Sequence, residues 1–236
     1  MSDTLLVPGP SRTLSGQIYE AIKQDILRGA LAPGSALLTR DLLERYGCGI
    51  SPLREALARL VGEDLLAASD HRGVRVPLPS VSDVKDVYRI RIALEREALA
   101  LAIAQGDDAW EASILAAGHL LEKTPIPDAA RNDTIAVEAW EARHRAFHTS
   151  LIAAAAAPRL LRLIGQMVDH TERYRVLRLR YVDRSSLSRS VVDEHRELKQ
   201  AVVARDRACL DLLAAHFQRT CAIVVAILQA SAPSSQ

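Results

Sequence analysis

The stretch Gly47-Cys48-Gly49-Ile50-Ser51-Pro52-Leu53-Arg54-Glu55-Ala56-Leu57-Ala58-Arg59-Leu60-Val61 is a glycine-containing turn that delivers a helix with a marked start. Ser51 can cap that helix through its hydroxyl, and Pro52 suits the first helical position, where its missing N–H has no partner to lose. Leu53, Ala56, Leu57, Leu60 and Val61 recur on one side, so this face docks and Arg54 and Arg59 stay outside it.

Upstream, Thr39 precedes a second short amphipathic segment with Leu42, Leu43 and Tyr46 on one side and Gly47 at its stop. Two short helices joined by a glycine turn form a helix-turn-helix pattern, although an ordinary helical hairpin has the same outline. In a helix-turn-helix the second helix enters the major groove by its N-terminal residues, here Gly49, Ile50, Ser51, Pro52 and Arg54. Leu65 to Ala68 and Val74 to Pro77 flank the polar loop Ser69-Asp70-His71-Arg72-Gly73 and read as a β-hairpin. Directly behind a recognition helix such a hairpin is a wing, placing His71, Arg72, Gly73 and Arg75 near phosphates or the minor groove.

The rest of the chain is organised around these elements. Residues 1–13 read as a loose arm, and Ile18, Ile22 and Ile26 mark a first helix ended by Gly29. Pro77-Leu78-Pro79-Ser80 is the best linker, which divides the chain into a DNA-binding unit (14–78), a helical unit (79–230) and a tail (231–236). In the second unit the strand signals vanish. Helices are expected over 82–105, 108–122, 133–156, 158–181, 186–204 and 206–229, the alanine run Ala153 to Ala157 favouring helix. The fold class is therefore mainly α, a winged helix-turn-helix followed by an all-α bundle.

Composition narrows the function. A formal net charge of +1 over 236 residues is no global signature of nucleic-acid binding, so any DNA contact depends on where charge is placed. Cys48, Cys209 and Cys221 form neither a disulfide framework nor a C-x-x-C metal signature. No apolar run approaches the roughly 20 residues of a membrane span, and no signal core is evident near Met1. A cytoplasmic location is expected.

In the helical unit the informative residues are polar ones within apolar stripes. Arg91 and Glu95 fall at i, i+4 among Val84, Val87, Tyr88, Leu94 and Ala98, either as an internal ion pair or with Arg91 as a bidentate holder of a ligand carboxylate. His144 and His148 share one side of a helix, while His195 and His216 sit in the inward stripes of two later helices. A lone inward histidine is ordinarily a hydrogen-bonded core residue. Four of them converging would build a metal site, because neutral imidazole is the commonest protein metal ligand and bundles make such sites from inward side chains.

The chain resembles the GntR superfamily of bacterial transcription regulators over nearly all residues from about 14 to 230, in its FadR-like branch with an FCD ligand-binding domain. The resemblance rests on Gln17 to Ile22, Ile26 to Gly34, Pro52 to Leu60 and Arg72 to Val76, and then on Val87 to Glu95, Phe147-His148, Asp193-Glu194-His195 and Ala214-Ala215-His216. It implies that Arg40 and Arg54 contact DNA. A homodimer on a pseudo-palindromic operator is expected because helix-turn-helix readers match their own two-fold symmetry to paired half-sites, and a small carboxylate effector because a bound cation and Arg91 lining one cavity leave it short of negative charge. The family's recognition helix commonly opens Ser-Arg-Thr-Pro. Here it reads Gly49-Ile50-Ser51-Pro52, so Ile50 offers only an apolar contact such as one with a thymine methyl. The family's metal motif is Asp-x-x-x-His with two further histidines, and His144 stands at the Asp position. Replacing a hard oxygen donor by imidazole favours Zn or Ni over Mg or Mn. Two alternatives are a metal sensor without an organic ligand and a metal-dependent enzyme. Against the enzyme, there is no His-Glu-x-x-His pattern and a winged helix has no role in one.

Overall fold

The computed structural model describes residues 13–69, 73–127, 133–181 and 184–231, with side chains omitted for 176–190 and 231. The chain divides into two compact units, residues 1–78 and 79–236.

The first unit runs α1 (Leu14–Leu27), β1 (Ala36–Leu38), α2 (Thr39–Tyr46), α3 (Ile50–Gly62), β2 (Ala67–Ser69) and β3 (Gly73–Arg75). The Thr13 hydroxyl caps α1 by accepting from Gly16 N–H at 3.2 Å. Ile18, Ile22 and Ile26 bury one face of α1 against Leu53, Ala56 and Leu60 of α3. Gly47 ends α2 at φ 56°, the left-handed conformation that glycine adopts without a Cβ penalty.

Two helix starts differ from expectation. Helix α3 begins at Ile50 with Gly49 as its N-cap and no side-chain capping bond, so Ser51 and Pro52 lie inside the first turn. Pro52 is tolerated there because the first four helical N–H groups have no intrahelical acceptor. Likewise Leu38 occupies the cap position of α2, and Thr39 is already helical.

The hairpin β2–β3 is present, with its loop residues His71 and Arg72 lying outside the described residues. It gains an unexpected third strand. β1 pairs antiparallel with β3, giving the order β1-β3-β2. Gly73 lies opposite both Leu38 and Ser69, and a Cβ there would stand 2.7 Å from the Leu37 carbonyl oxygen. Only glycine lets β3 approach β1 this closely.

The second unit comprises α4 (Val81–Gln105), α5 (Asp108–Lys123), α6 (Thr134–Ile152), α7 (Pro158–Tyr181), α8 (Arg184–Val203) and α9 (Cys209–Ser231). Ser80, Asp107 and Asp133 cap α4, α5 and α6 by accepting from Asp83, Trp110 and Ala136 N–H groups. Val84, Ala98, Ile114, Phe147, Leu198 and Phe217 meet in a core drawn from α4, α5, α6, α8 and α9.

The alanine run does not extend α6, which stops at Ile152. Pro158 opens α7 and disfavours helical backbone at Ala157, and Ala156 before it takes φ 30°, which no helix continues through. Within α9, Cys209–Ala230 has a mean hydropathy of 1.4, a longer apolar run than the sequence reading allows. By length and composition it could cross a membrane. Its buried residues nevertheless include the polar His216 and Thr220 beside Leu213 and Phe217, the pattern of a core helix.

Candidate metal centre and nucleic-acid surface

Three helices bring His144 and His148 (α6), His195 (α8) and His216 (α9) into one cluster. One ring nitrogen from each lies within 4.8 Å of all the others, and all four residues are buried. Ring centroids of His144 and His148 stand 4.5 Å apart, as i, i+4 spacing on a helix requires, and those of His195 and His216 stand 4.6 Å apart. His148 and His195 face each other Nε2 to Nε2 at 3.3 Å. Trp140, one turn before His144, stacks on its ring at 4.7 Å between centroids and 22° between planes.

Burial holds the His144 and His148 imidazoles well below the usual histidine range. The Arg175 charge reinforces this at His144, and neighbouring histidines, His216 foremost, do so at His148. At neutral pH both rings are uncharged, the form that donates a lone pair to a metal. Among the described residues, the Nδ1 atoms of His144 and His148 have no hydrogen-bond partner. A buried polar atom without a partner is exceptional and asks for one. The donor set, four buried imidazoles with a ring nitrogen each in one small volume, fits a divalent ion of the zinc or nickel type.

His216 has an outer partner that the stripes of apolar residues do not reveal. Its Nδ1 lies 2.8 Å from Glu194 Oε2, and the other Glu194 oxygen accepts from Arg219 Nε at 2.7 Å. Burial raises the Glu194 pKa, but the bonds from His216 and Arg219 outweigh it, so the carboxyl lies below its ordinary range. With Nδ1–H donating to this carboxylate, His216 carries its lone pair on Nε2. Such carboxylate partners orient metal-ligating histidines. The signal available in sequence was an acidic residue directly before His195.

Arg91 and Glu95 form the internal pair, each 1% exposed, with Arg91 Nε donating to Glu95 Oε1 at 2.6 Å. Arg91 Nη1 also donates to Thr171 Oγ1 at 2.5 Å, and the guanidinium lies 4.1 Å over the Phe217 ring. A second buried pair, absent from the sequence reading, joins Arg175 Nη2 to Glu141 Oε2 at 2.8 Å. Burial raises the Glu141 pKa despite Arg175. Thr171 accepts from Arg175 as well as from Arg91, so one hydroxyl ties both pairs together on α7. A cavity of about 140 Å³ adjoins the cluster, with Glu95, Arg145 and His148 among its lining residues.

In the first unit, Ile50 (44% exposed), Ser51 and Arg54 stand together on the outer face of the first turns of α3, with Gly49 before them and Pro52 half-buried. Arg40 projects from α2 with its side chain 87% exposed, beside Asp41 at 3.2 Å. Arg75 is exposed on β3. Arg59 is set apart from these: its guanidinium lies 3.9 Å over the Tyr19 ring and fastens α3 to α1. Gly73, as described above, serves the sheet.

Two family models match the chain. Residues 14–76 match "Bacterial regulatory proteins, gntR family", and residues 86–219 match the FCD domain. The HTH-type transcriptional repressor GlaR of Escherichia coli K12 is 38% identical over 194 residues, spanning 80% of this chain and 86% of that protein. The HTH-type transcriptional regulator BphR of Paraburkholderia xenovorans LB400 is 33% identical over 215 residues, spanning 90% and 86%. Among solved structures, E. coli McbR/YncC superposes with a TM-score of 0.76 at 26% identity, covering 91% of this chain and 98% of that one. These relatives and domains are transcription regulators and not enzymes, which removes the metal-dependent enzyme from consideration. The chain belongs to the gntR family of bacterial DNA-binding transcriptional regulators and carries an FCD domain as its helical unit.

Proposed function

We propose that this regulator is a cytoplasmic repressor whose operator affinity is set by a small carboxylate effector bound beside a divalent metal in the helical unit. The observation that carries this reading is the convergence of four buried imidazoles from three helices. A core built only for stability gains little from four buried polar rings, two of them with an unpartnered nitrogen. His144, His148, His195 and His216 would hold the ion, with Glu194 orienting His216. When bound, a divalent ion supplies positive charge that draws a carboxylate into an otherwise buried site. Arg91 adds a second positive group within the same core, already held in place by Glu95 and Thr171.

On the DNA side, Arg40, Arg54 and Arg75 would contact the duplex and Ile50 a base methyl, two copies of the chain binding a pseudo-palindrome as helix-turn-helix dimers do. GlaR is named a repressor, and that supports the same sign of control here. An effector shifts DNA affinity only by its differential affinity for the two binding states, so a tenfold change needs about 1.4 kcal/mol of coupling.

The test is operator affinity by fluorescence anisotropy on a duplex selected from random DNA by the full chain. It is measured with zinc-loaded and chelator-treated protein across a titration of short carboxylic acids. Acid-dependent release of the zinc-loaded protein supports the proposal. Release that is the same after chelation contradicts it.

A further inference from the structure

Every large apolar residue of α3 but one serves the core of the first unit. Leu53, Leu57 and Leu60 belong to its cluster, and Val61 packs against it. Ile50, at the first position of the helix, belongs to neither group and is 44% exposed. Nor does it fasten the helix start to the core. The residue before the cap does that in a hydrophobic staple, and here that residue is Cys48, which packs against the cluster beside the Gly49 cap. What Ile50 offers, it offers outward.

The helix tip that presents it is fixed. Leu53, Ala56 and Leu60 are fully buried, and Arg59 lies over the Tyr19 ring. A β-branched side chain in a helix holds essentially one χ1 rotamer, so Ile50 has little freedom to lose when it meets a surface. Ser51 beside it and Arg54 one turn on are exposed with it.

These three side chains differ in what they can distinguish in a major groove. Thymine presents a C5 methyl beside the O4 acceptor, whereas cytosine presents the N4 donor and no methyl. A methyl on C5 of cytosine, or its absence in uracil, separates the apolar feature from the polar one. Isoleucine has neither donor nor acceptor, so it registers the methyl and is blind to the polar atom next to it. The Ser51 hydroxyl donates or accepts and suits either polar atom. Arg54 is matched to guanine or to a phosphate. At the base pair facing Ile50, the methyl is therefore the feature that is read.

We infer that Ile50 reads the C5 methyl of a pyrimidine in each operator half-site, so that 5-methylcytosine substitutes for thymine there and cytosine methylation converts a weak site into a strong one. The inference rests on the proposed placement of the α3 tip at base edges, and adds to it the chemical group that is read and a means by which the site is regulated. Burying one methyl is worth about fourfold in affinity, and the symmetric pair of half-sites about fifteenfold.

The test is fluorescence anisotropy of the full-length protein, without added acid, on the selected operator duplex and on versions in which one symmetric pair of thymines at a time is replaced by uracil. One such pair lowers affinity about fifteenfold for wild type and leaves that of Ile50→Ala unchanged. At that pair, duplexes carrying cytosine and 5-methylcytosine opposite guanine differ by about the same factor in favour of the methylated base, again only for wild type. Ile50 is exposed and outside the core, so Ile50→Ala keeps the wild-type melting temperature. The inference is overturned if no uracil pair weakens wild type more than Ile50→Ala, or if cytosine and 5-methylcytosine bind alike at the mapped pair. If Ile50→Ala is then still several-fold weaker than wild type on the selected duplex, the placement of the tip on DNA stands. If both Ile50→Ala and Arg54→Ala bind every duplex as wild type does, that placement falls as well.

Discussion

Glu194 on α8 reaches across to α9 and meets His216 Nδ1 at 2.8 Å, making a residue adjacent to one histidine of the cluster the orienting partner of another. It thereby links two of the three helices that contribute imidazoles.

This relationship gives a graded expectation for metal affinity. His148→Ala, His195→Ala and His216→Ala each abolish stoichiometric metal content. Glu194→Ala retains the metal but weakens it by about 10- to 100-fold, the usual effect of removing an outer-shell carboxylate. His144→Asp keeps the metal and shifts preference towards manganese, since it supplies a hard oxygen donor. Elemental analysis and competition with a chromophoric chelator measure all five variants.

The depressed pKa values of His144 and His148 set a pH dependence. Burial keeps both rings neutral in the folded state, whereas an unfolded chain protonates its histidines below about pH 6.5. The unfolded state then binds more protons, so metal-free protein loses stability as pH falls below about 6.5 and is insensitive to these groups above it. Denaturant midpoints of apo protein between pH 8 and about pH 5 should follow this slope, and His148→Asn should flatten it. For the same reason His144 and His148 should add no pH dependence to zinc affinity between about pH 8 and pH 6.5, where no proton must be displaced from either ring.

The two arginines of α3 stand in different surroundings, Arg54 exposed and Arg59 over the Tyr19 ring, and separate duties are expected of them. Arg54→Ala weakens operator binding: by about 1–3 kcal/mol at a single base position if it reads a base, or uniformly with a smaller salt slope if it holds a phosphate. Arg59→Ala instead costs stability, about 0.5–1 kcal/mol through loss of its contact with the Tyr19 face. Anisotropy against a set of single-base operator variants, together with thermal unfolding, separates the two.

The Glu141–Arg175 pair is buried on both sides, with side-chain exposures of 6% and 4%. Removing one partner, as in Glu141→Ala, strands a buried guanidinium and should destabilise the helical unit by about 3–5 kcal/mol. The double substitution Glu141→Leu with Arg175→Met should recover most of that loss, because no uncompensated charge remains. Urea unfolding of the three proteins checks the expectation.

The helix-turn-helix and the histidine stripes were legible because both are periodic: docked leucines in α3 and His144 with His148 at i, i+4. That α6, α8 and α9 place their histidines together is a tertiary fact, and spacing within single helices cannot supply it. β1 was invisible because Ala36-Leu37-Leu38 has no alternation and is held by pairing to β3, whose Gly73 permits the approach. Ala153 to Ala157 misled because intrinsic propensity yields to the backbone restriction imposed by Pro158. Glu141 and Arg175 escaped notice because nothing in sequence joins residues on two different helices.

Control of DNA binding by a metal-linked carboxylate is tested most directly by affinity for a selected operator duplex, measured with and without a short carboxylic acid, on zinc-loaded wild type and on a His148→Ala/His195→Ala variant. The prediction is a drop of about tenfold or more in DNA affinity on adding acid to the zinc-loaded wild type and no response in the zinc-free variant, which still binds DNA. An equal response in both proteins, or an equal content of zinc in both, would contradict it.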